Sequence, residues 1–380
     1  MKFHPVDDTL TLVRETCLRF ARDHIAPHVH AWEEAEIFPR ALYKKAAAAG
    51  ILGAGYPEEY GGSGGGSMTA LVAAEGLLRG GSTGVVVGLG SMGIALPPIM
   101  NLGTEEQKQR FVPPVVAGEK IAALAITEPG TGSDVAGVRT KAVRDGDHYV
   151  INGTKLFITS GVRADLVTVL TRTGPDPHQG LTFFVVERGM PGFSASRSLK
   201  KTGWRASDTA ELSFADVRVP LSHRIGEEGS GFVALMKGFV SERMYLAFLG
   251  HATAEIALTD ALAYVKEREA FGRPISKFQV TQHKLAKMAT KVLASRTLNF
   301  DIAHRVEAGE GLVAEVAMAK NFAAEVAMEV TYEAVQLFGG MGYMRETRVE
   351  RLSRDARLLP IGGGTSEVMN ELVARWYLGL

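Results

Sequence analysis

Apolar positions recur at helical steps through the first third of the chain. Between Thr9 and about Lys120, Leu12, Cys17, Phe20 and Ile25 follow at three-to-five-residue intervals, and Ala41–Ala49 is rich in good helix formers. From Ile121 to about Val219 the texture changes to short β-branched and aromatic runs. These are Tyr149-Val150-Ile151, Leu166 to Leu170 and Leu181 to Val186, with turn signals at Asp145-Gly146 and Asn152-Gly153. Helical texture returns after the glycines of Gly226 to Gly231. There one stripe counts out at strict steps of three and four as Met244, Ala247, His251, Ala254, Leu258, Ala261 and Val265, the mark of a long packed helix. His251, the polar member of that stripe, reads as a satisfied core histidine and not as a ligand. An alanine-rich helix follows from about Leu312 to Phe338, and a last one from Glu367 to Tyr377.

The order is helices, then strands, then helices, without a βαβ alternation, so segregated α+β layers are expected and a Rossmann fold is disfavoured. The texture divides the chain at 1–120, 121–228 and 229–380. An uncharged stretch between Arg79 and Glu105 is long enough to span a bilayer. Its seven glycines and Pro97-Pro98 suit a buried, interrupted helix better.

Charge and composition narrow the partners. With 42 basic against 42 acidic residues, the overall field offers little to a phosphate backbone or an anionic bilayer, so neither nucleic acid nor membrane is expected as a partner. Cys17 is the single cysteine, which rules out an internal disulfide and any multi-thiolate metal site; no metal is expected. Residues Met1 to Asp8 show no signal or transit pattern, which points to the cytoplasm.

Glycine is the compositional excess, 43 of 380 residues against a usual share of about 7%. Apart from the loop Gly61–Gly66, three clusters stand out. Thr127-Glu128-Pro129-Gly130-Thr131-Gly132-Ser133-Asp134 is either a plain turn or a place where backbone approaches a planar or phosphorylated ligand. Gly339 in Phe338-Gly339-Gly340-Met341-Gly342-Tyr343 is a candidate helix C-cap. Ile361-Gly362-Gly363-Gly364-Thr365-Ser366-Glu367 precedes a helix with Thr365 or Ser366 as its N-cap.

Taken in order with Asn152 to Thr159 and with Arg268-Glu269-Ala270-Phe271-Gly272 plus Gln279, these segments resemble the acyl-CoA dehydrogenase family of flavoproteins along essentially the whole chain. The resemblance implies a helical N-terminal domain, a central antiparallel β-barrel-like domain and a C-terminal four-helix bundle, in a homotetramer with FAD as cofactor. It implies that Ile126, Thr127, Phe157 and Thr159 line the isoalloxazine ring, Phe157 standing where many members have tryptophan. Ser133 would lie near the CoA phosphates or the flavin pyrophosphate. Arg268, Phe271, Gln279, Gln336, Gly339 and Gly340 of a neighbouring subunit would hold the pyrophosphate and adenosine, with Thr365, Ser366 and Glu367 closing over the same cofactor. On residues alone, Arg268 is as readily a surface partner for the acids around it.

One departure concerns the base. Many members keep a glutamate just before the Gly-Thr of the last motif, and here that position is Gly363. The branch resembling isovaleryl-CoA and long-chain acyl-CoA dehydrogenases places its glutamate on a C-terminal helix before an arginine, matched here by Glu242-Arg243. No basic residue stands three or four positions from Glu242, so it lacks the usual solvated pairing. The resemblance thus implies an acyl-CoA thioester bound near Val240, Arg243, Ser133 and Gly364. Glu242 takes its α-proton, Gly363 N–H supports the thioester oxygen, a hydride goes to flavin N5, and the electrons pass to electron-transfer flavoprotein. Ala95, Pro97, Met100 and Tyr245 are candidates for the floor of the acyl pocket. A fold-related oxidase or monooxygenase using oxygen, and a flavin-carrying nucleic-acid-binding protein, are the alternatives.

Overall fold

The computed structural model describes residues 8–380, so the leader reading at Met1 to Asp7 lies outside the described residues. Helices fill the chain from Asp8 to Val116, strands the part from Ala122 to Ile225, and helices again the part from Gly231 to Trp376. The uncharged stretch forms Thr83–Leu89 and Met92–Leu102, bent by 44° at Gly90-Ser91 between them. Most of it is buried, and no single described helix is long and apolar enough to cross a membrane.

The eight-stranded sheet comprises β1 (Ala122–Ala125), β2 (Lys141–Asp145), β3 (His148–Thr159), β4 (Leu166–Arg172), β5 (Leu181–Glu187), β6 (Phe193–Ala195), β7 (Thr209–Pro220) and β8 (Arg224–Ile225). Its order is β6-β7-β3-β2-β4-β5-β8, with β1 beside β4. The pairing is not wholly antiparallel: β1 runs parallel to β4, and β2 meets β4 in parallel at Lys141 and Arg172. Parallel neighbours need a long crossover, and here the excursion through β2 and β3 serves as one. Strands β4 and β5 are apolar without alternation because both their faces are covered. Leu166, Leu170, Phe183 and Val185 pack on the helices, while Val167, Val169, Phe184 and Val186 face a core shared with Tyr149, Leu212 and Val217 of β3 and β7.

The expected stripe lies on the 37-residue helix Gly231–Glu267, and all seven of its members are buried. A single face understates this helix: from Leu246 to Leu258 it is buried all round, between the N-terminal helix Gly66–Leu78 and its bundle partners Gln279–Glu307 and Val313–Phe338. Gly250 permits the closest crossing, since an added Cβ would stand 2.9 Å from the Ala323 carbonyl oxygen. The last helix, Ser366–Trp376, packs on Val313–Phe338.

His251 sits fully buried in a charged knot. Glu75 receives Arg296 Nη1 at 2.7 Å, and Asn299 Nδ2 lies 2.9 Å from His251 Nδ1. Burial lowers the pKa of His251, whereas His251, Arg296 and Arg14 overcome the effect of burial on Glu75 and hold its carboxyl below the ordinary range. Arg296→Met removes the cation nearest that carboxylate and leaves only Arg14 and His251, both farther off, beside it. Losing one partner of a buried pair costs about 3–5 kcal/mol, so chemical denaturation should show a large loss of stability, partly restored by adding Glu75→Gln.

Candidate active site

The ends of β1 and β3 are pinned together by a buried ion pair. Lys155 Nζ donates to Glu128 Oε1 at 2.9 Å and to the Ile126 carbonyl at 2.8 Å, while Glu128 accepts the backbone N–H groups of Arg139 and Thr140 at 2.8 Å each. Burial brings the Lys155 ammonium down to about 8, with Glu128 opposing. Leu156 N–H donates to the Thr127 carbonyl at 2.8 Å, so Ile126 and Thr127 are held against the end of β3. There β3 breaks register between Lys155 and Ile158. Strict alternation would turn Phe157 inward with Lys155. The bulge instead sends its ring out, at φ +61° and 64% exposed. An aromatic in the left-handed region with its ring in solvent is costly on its own account, the pattern of a ligand wall. Neither the Thr127 nor the Thr159 hydroxyl bonds to another described residue. Ser133 lies on the exposed loop beyond.

A second set gathers at the far end of the long helix. Arg268 caps that helix, exposed and without an ion pair among the described residues. Phe271 tops a two-residue ribbon at φ +52° and 96% exposed, and Gln279 opens the next helix. Tyr264, one turn before Arg268, stacks on Phe338 with ring centroids 4.1 Å apart, which brings Gln336, Gly339 and Gly340 alongside. Gly339 is the C-cap of Val313–Phe338, at φ +60°, and added Cβ atoms at Gly339 or Gly340 would meet nothing within 4 Å. Open backbone beside an unpaired guanidinium suits a pyrophosphate. Among the described residues, no hydrogen bond or ring contact joins this set to the Phe157 set within one chain.

A third group surrounds Glu242, which is half-buried on the long helix and lines a narrow cleft with Gly93, Pro97, Leu124, Gly238 and Phe239. Of the floor candidates Pro97 does line it. Ala95 is fully buried with its carbonyl taken by Thr168, and the Tyr245 hydroxyl points to the Val86 carbonyl at 3.4 Å. Met100 packs against the helical core instead. Burial raises the Glu242 pKa above the carboxylate range, with Arg243 and Lys320 pulling it back. Although no basic residue stands one turn away on its own helix, Lys320 faces it from another.

Gly363, at φ +65°, brings its turn against that carboxylate. An added Cβ would stand 2.5 Å from Leu246 Cδ1 and 3.6 Å from Glu242 Oε1. The Gly363 N–H has no acceptor among the described residues, whereas its carbonyl receives Arg243 Nε at 3.2 Å. Arg243 is therefore buried behind the turn, over the Phe239 ring, and does not line the cleft. Val240 likewise packs into the apolar cluster of Met68 and Met244. An added Cβ on Gly364, at φ +100°, would meet Met369 Cε at 2.6 Å, so that turn too admits only glycine without a shift. Thr365 is the N-cap of the last helix, its hydroxyl accepting Val368 N–H at 3.3 Å; Ser366 is half-buried and Glu367 exposed.

The arginines near the C-terminus form no basic face. Arg348 pairs with Asp260, Arg351 is buried on the Gly81 carbonyl, and Arg354 pairs with Glu33 and Glu350.

Three family models match this chain: the N-terminal, middle and C-terminal domains of acyl-CoA dehydrogenase, at residues 7–119, 123–217 and 229–378. The chain belongs to the acyl-CoA dehydrogenase family. It is 41% identical to the mitochondrial long-chain specific acyl-CoA dehydrogenase of Sus scrofa, over 96% of this chain and 85% of that protein. It is 40% identical to the short-chain specific acyl-CoA dehydrogenase of Clostridium acetobutylicum, over 96% of each. A solved putative acyl-CoA dehydrogenase from Mycobacterium smegmatis superposes with a TM-score of 0.96 at 46% identity, covering 98% of each chain. The protein is thus an FAD-dependent oxidoreductase. The projecting rings of Phe157 and Phe271, the unpaired threonine hydroxyls and the open glycine backbone fit that cofactor.

Gly363→Ala forces a non-glycine residue into the left-handed region, at about 1–2 kcal/mol, and pushes Leu246 away. The variant should keep its FAD and melt slightly lower, as a thermal unfolding curve measures.

Proposed function

We propose that the cleft beside Glu242 binds an acyl-CoA thioester, and that Glu242 removes the α-proton to give the trans-2-enoyl thioester. The observation that carries this reading is a half-buried carboxylate lining an apolar cleft, with the Gly363 turn against it and the Gly363 N–H without an acceptor among the described residues. With the thioester oxygen on that N–H, negative charge developing on the enolate is met by a fixed donor, which acidifies the α-carbon. Burial raises the Glu242 pKa, so its carboxylate is a stronger base than a solvated glutamate. FAD, when bound, supplies the hydride acceptor. Phe157, Thr127 and Thr159 hold one side of the ring, and Ser133 and Gly364 border the substrate.

Because Arg268, Phe271, Gln279, Gln336, Gly339 and Gly340 form a set apart from the Phe157 wall, a complete cofactor site needs a second copy of the chain, with Thr365, Ser366 and Glu367 at its edge. We assign a homotetramer on that ground and from the family resemblance, with electron-transfer flavoprotein as the acceptor. Light scattering of the holoenzyme should give the tetramer mass.

Glu242→Gln should retain FAD yet fail to bleach with acyl-CoA under anaerobic conditions; normal reduction would remove Glu242 from the base role. A protonated glutamate cannot accept the proton. In the unsubstituted enzyme the reduction rate therefore falls as pH drops through a value above the ordinary carboxylate range. Screening bleaching with short, branched, medium and long acyl-CoAs identifies the substrate. Slow reaction of the reduced enzyme with air, relieved by electron-transfer flavoprotein, supports the dehydrogenase reading; fast reaction with air marks an oxidase.

A further inference from the structure

Lys320 stands midway along Val313–Phe338 and is 1% exposed. An ammonium in such a place is costly unless its partners compensate, so its contacts are informative. Its one hydrogen bond among the described residues goes to the Gly364 carbonyl, at 2.6 Å. No carboxylate lies within ion-pair distance. The charges facing it are Arg243 and Glu242 from the long helix and Glu367 from the start of the last helix. Burial, aided by Arg243, lowers its pKa to about 8, while Glu242 and Glu367 oppose the change.

The adjacent Asn321 donates to the Ser366 carbonyl at 3.0 Å and to Asn370 Oδ1 at 2.9 Å, and Arg243 holds the Gly363 carbonyl. The turn is therefore tied by its carbonyls at Gly363, Gly364 and Ser366, and the Gly363 N–H is left without an acceptor among the described residues. Glycines at φ +65° and +100° do not hold such a shape by themselves.

We propose that Lys320 is a positioning residue for the dehydrogenation: its ammonium fixes the Gly364 carbonyl, and with it the aim of the Gly363 N–H, while placing a positive charge opposite the Glu242 carboxylate. This rests on the reading of Glu242 as base and Gly363 as donor. The ammonium touches neither substrate nor cofactor and acts through those two groups.

The experiment uses the full-length holoenzyme with Lys320→Met, Lys320→Gln and Lys320→Arg, and Glu242→Gln as control. FAD content, melting temperature, acyl-CoA affinity and the limiting rate of anaerobic flavin reduction are read across pH. Lys320→Met removes both tether and charge: the limiting rate should fall by roughly tenfold or more, with FAD content and substrate affinity retained, and the acid limb of the rate profile should move to higher pH. Lys320→Gln can still donate to the carbonyl, so it should keep more of the rate while showing the same displaced limb. Lys320→Arg keeps the charge, and its limb should stay where that of the unsubstituted enzyme lies.

An acid limb unmoved in both neutral variants, or displaced in Lys320→Arg, overturns the proposal. The arginine variant decides alone if the neutral ones do not fold. Should Glu242→Gln be reduced normally, the base reading itself fails. If Glu242→Gln is silent and the limb stays fixed across the Lys320 series, only the assignment of Lys320 fails.

Discussion

The close approach of the glycine turn 362–364 to the long helix is the contact on which the active site depends. At Gly363 there is no room for a side chain against Leu246, and the backbone lies in the left-handed region, so glycine is demanded twice over. That approach brings the Gly363 backbone beside the Glu242 carboxylate. It holds because both partners are rigid: the long helix is buried on all sides through its middle, and Gly250 lets it pack tightly on the helix that carries Lys320 and Asn321. The bundle is thus a clamp for one turn as much as a hydrophobic core.

Electrostatics follow from the same packing. Burial raises the Glu242 pKa, yet the carboxylate is not left alone, since Arg243 and Lys320 pull it back. A carboxylate in an apolar slot without those cations would protonate and lose its function; one paired directly to a cation would lose its basicity. Holding both cations on backbone carbonyls avoids each extreme. The Glu128–Lys155 pair does comparable service at the other wall, where a buried charge pair fixes backbone beside an exposed ring.

Much of the architecture was legible along the chain. The change from three-and-four spacing to β-branched runs located the sheet region, and the stripe from Met244 to Val265 marked the long helix. The glycine clusters and Glu242 were found by their order and by the missing carboxylate at 363. Other features left weaker traces. Lys320 occupies a stripe position with Val316, Ala323 and Ala327, so a lysine on a core face was a visible signal; its partner, a carbonyl 44 residues on, was not. The outward turn of Phe157 comes from a bulge, which depends on the register against β7 and leaves no mark in strand texture. Val240 and Arg243 flank Glu242 in sequence but lie on other faces of the helix, because successive helical residues point about 100° apart.

What the sequence alone determined was the chemistry available: an open glycine where a base is common, a carboxylate on a helix without a basic residue one turn away, and a set of aromatic, threonine and glycine positions suited to a flavin. Those are properties of residue type and spacing, and they survive any rearrangement of loops. The tertiary structure decided which of these groups meet, and with what strength. Burial raises the Glu242 pKa, Arg243 and Lys320 hold the carbonyls of Gly363 and Gly364, and Arg268 has no ion pair among the described residues; each arises from segments far apart in the chain, whose mutual distance only packing can set.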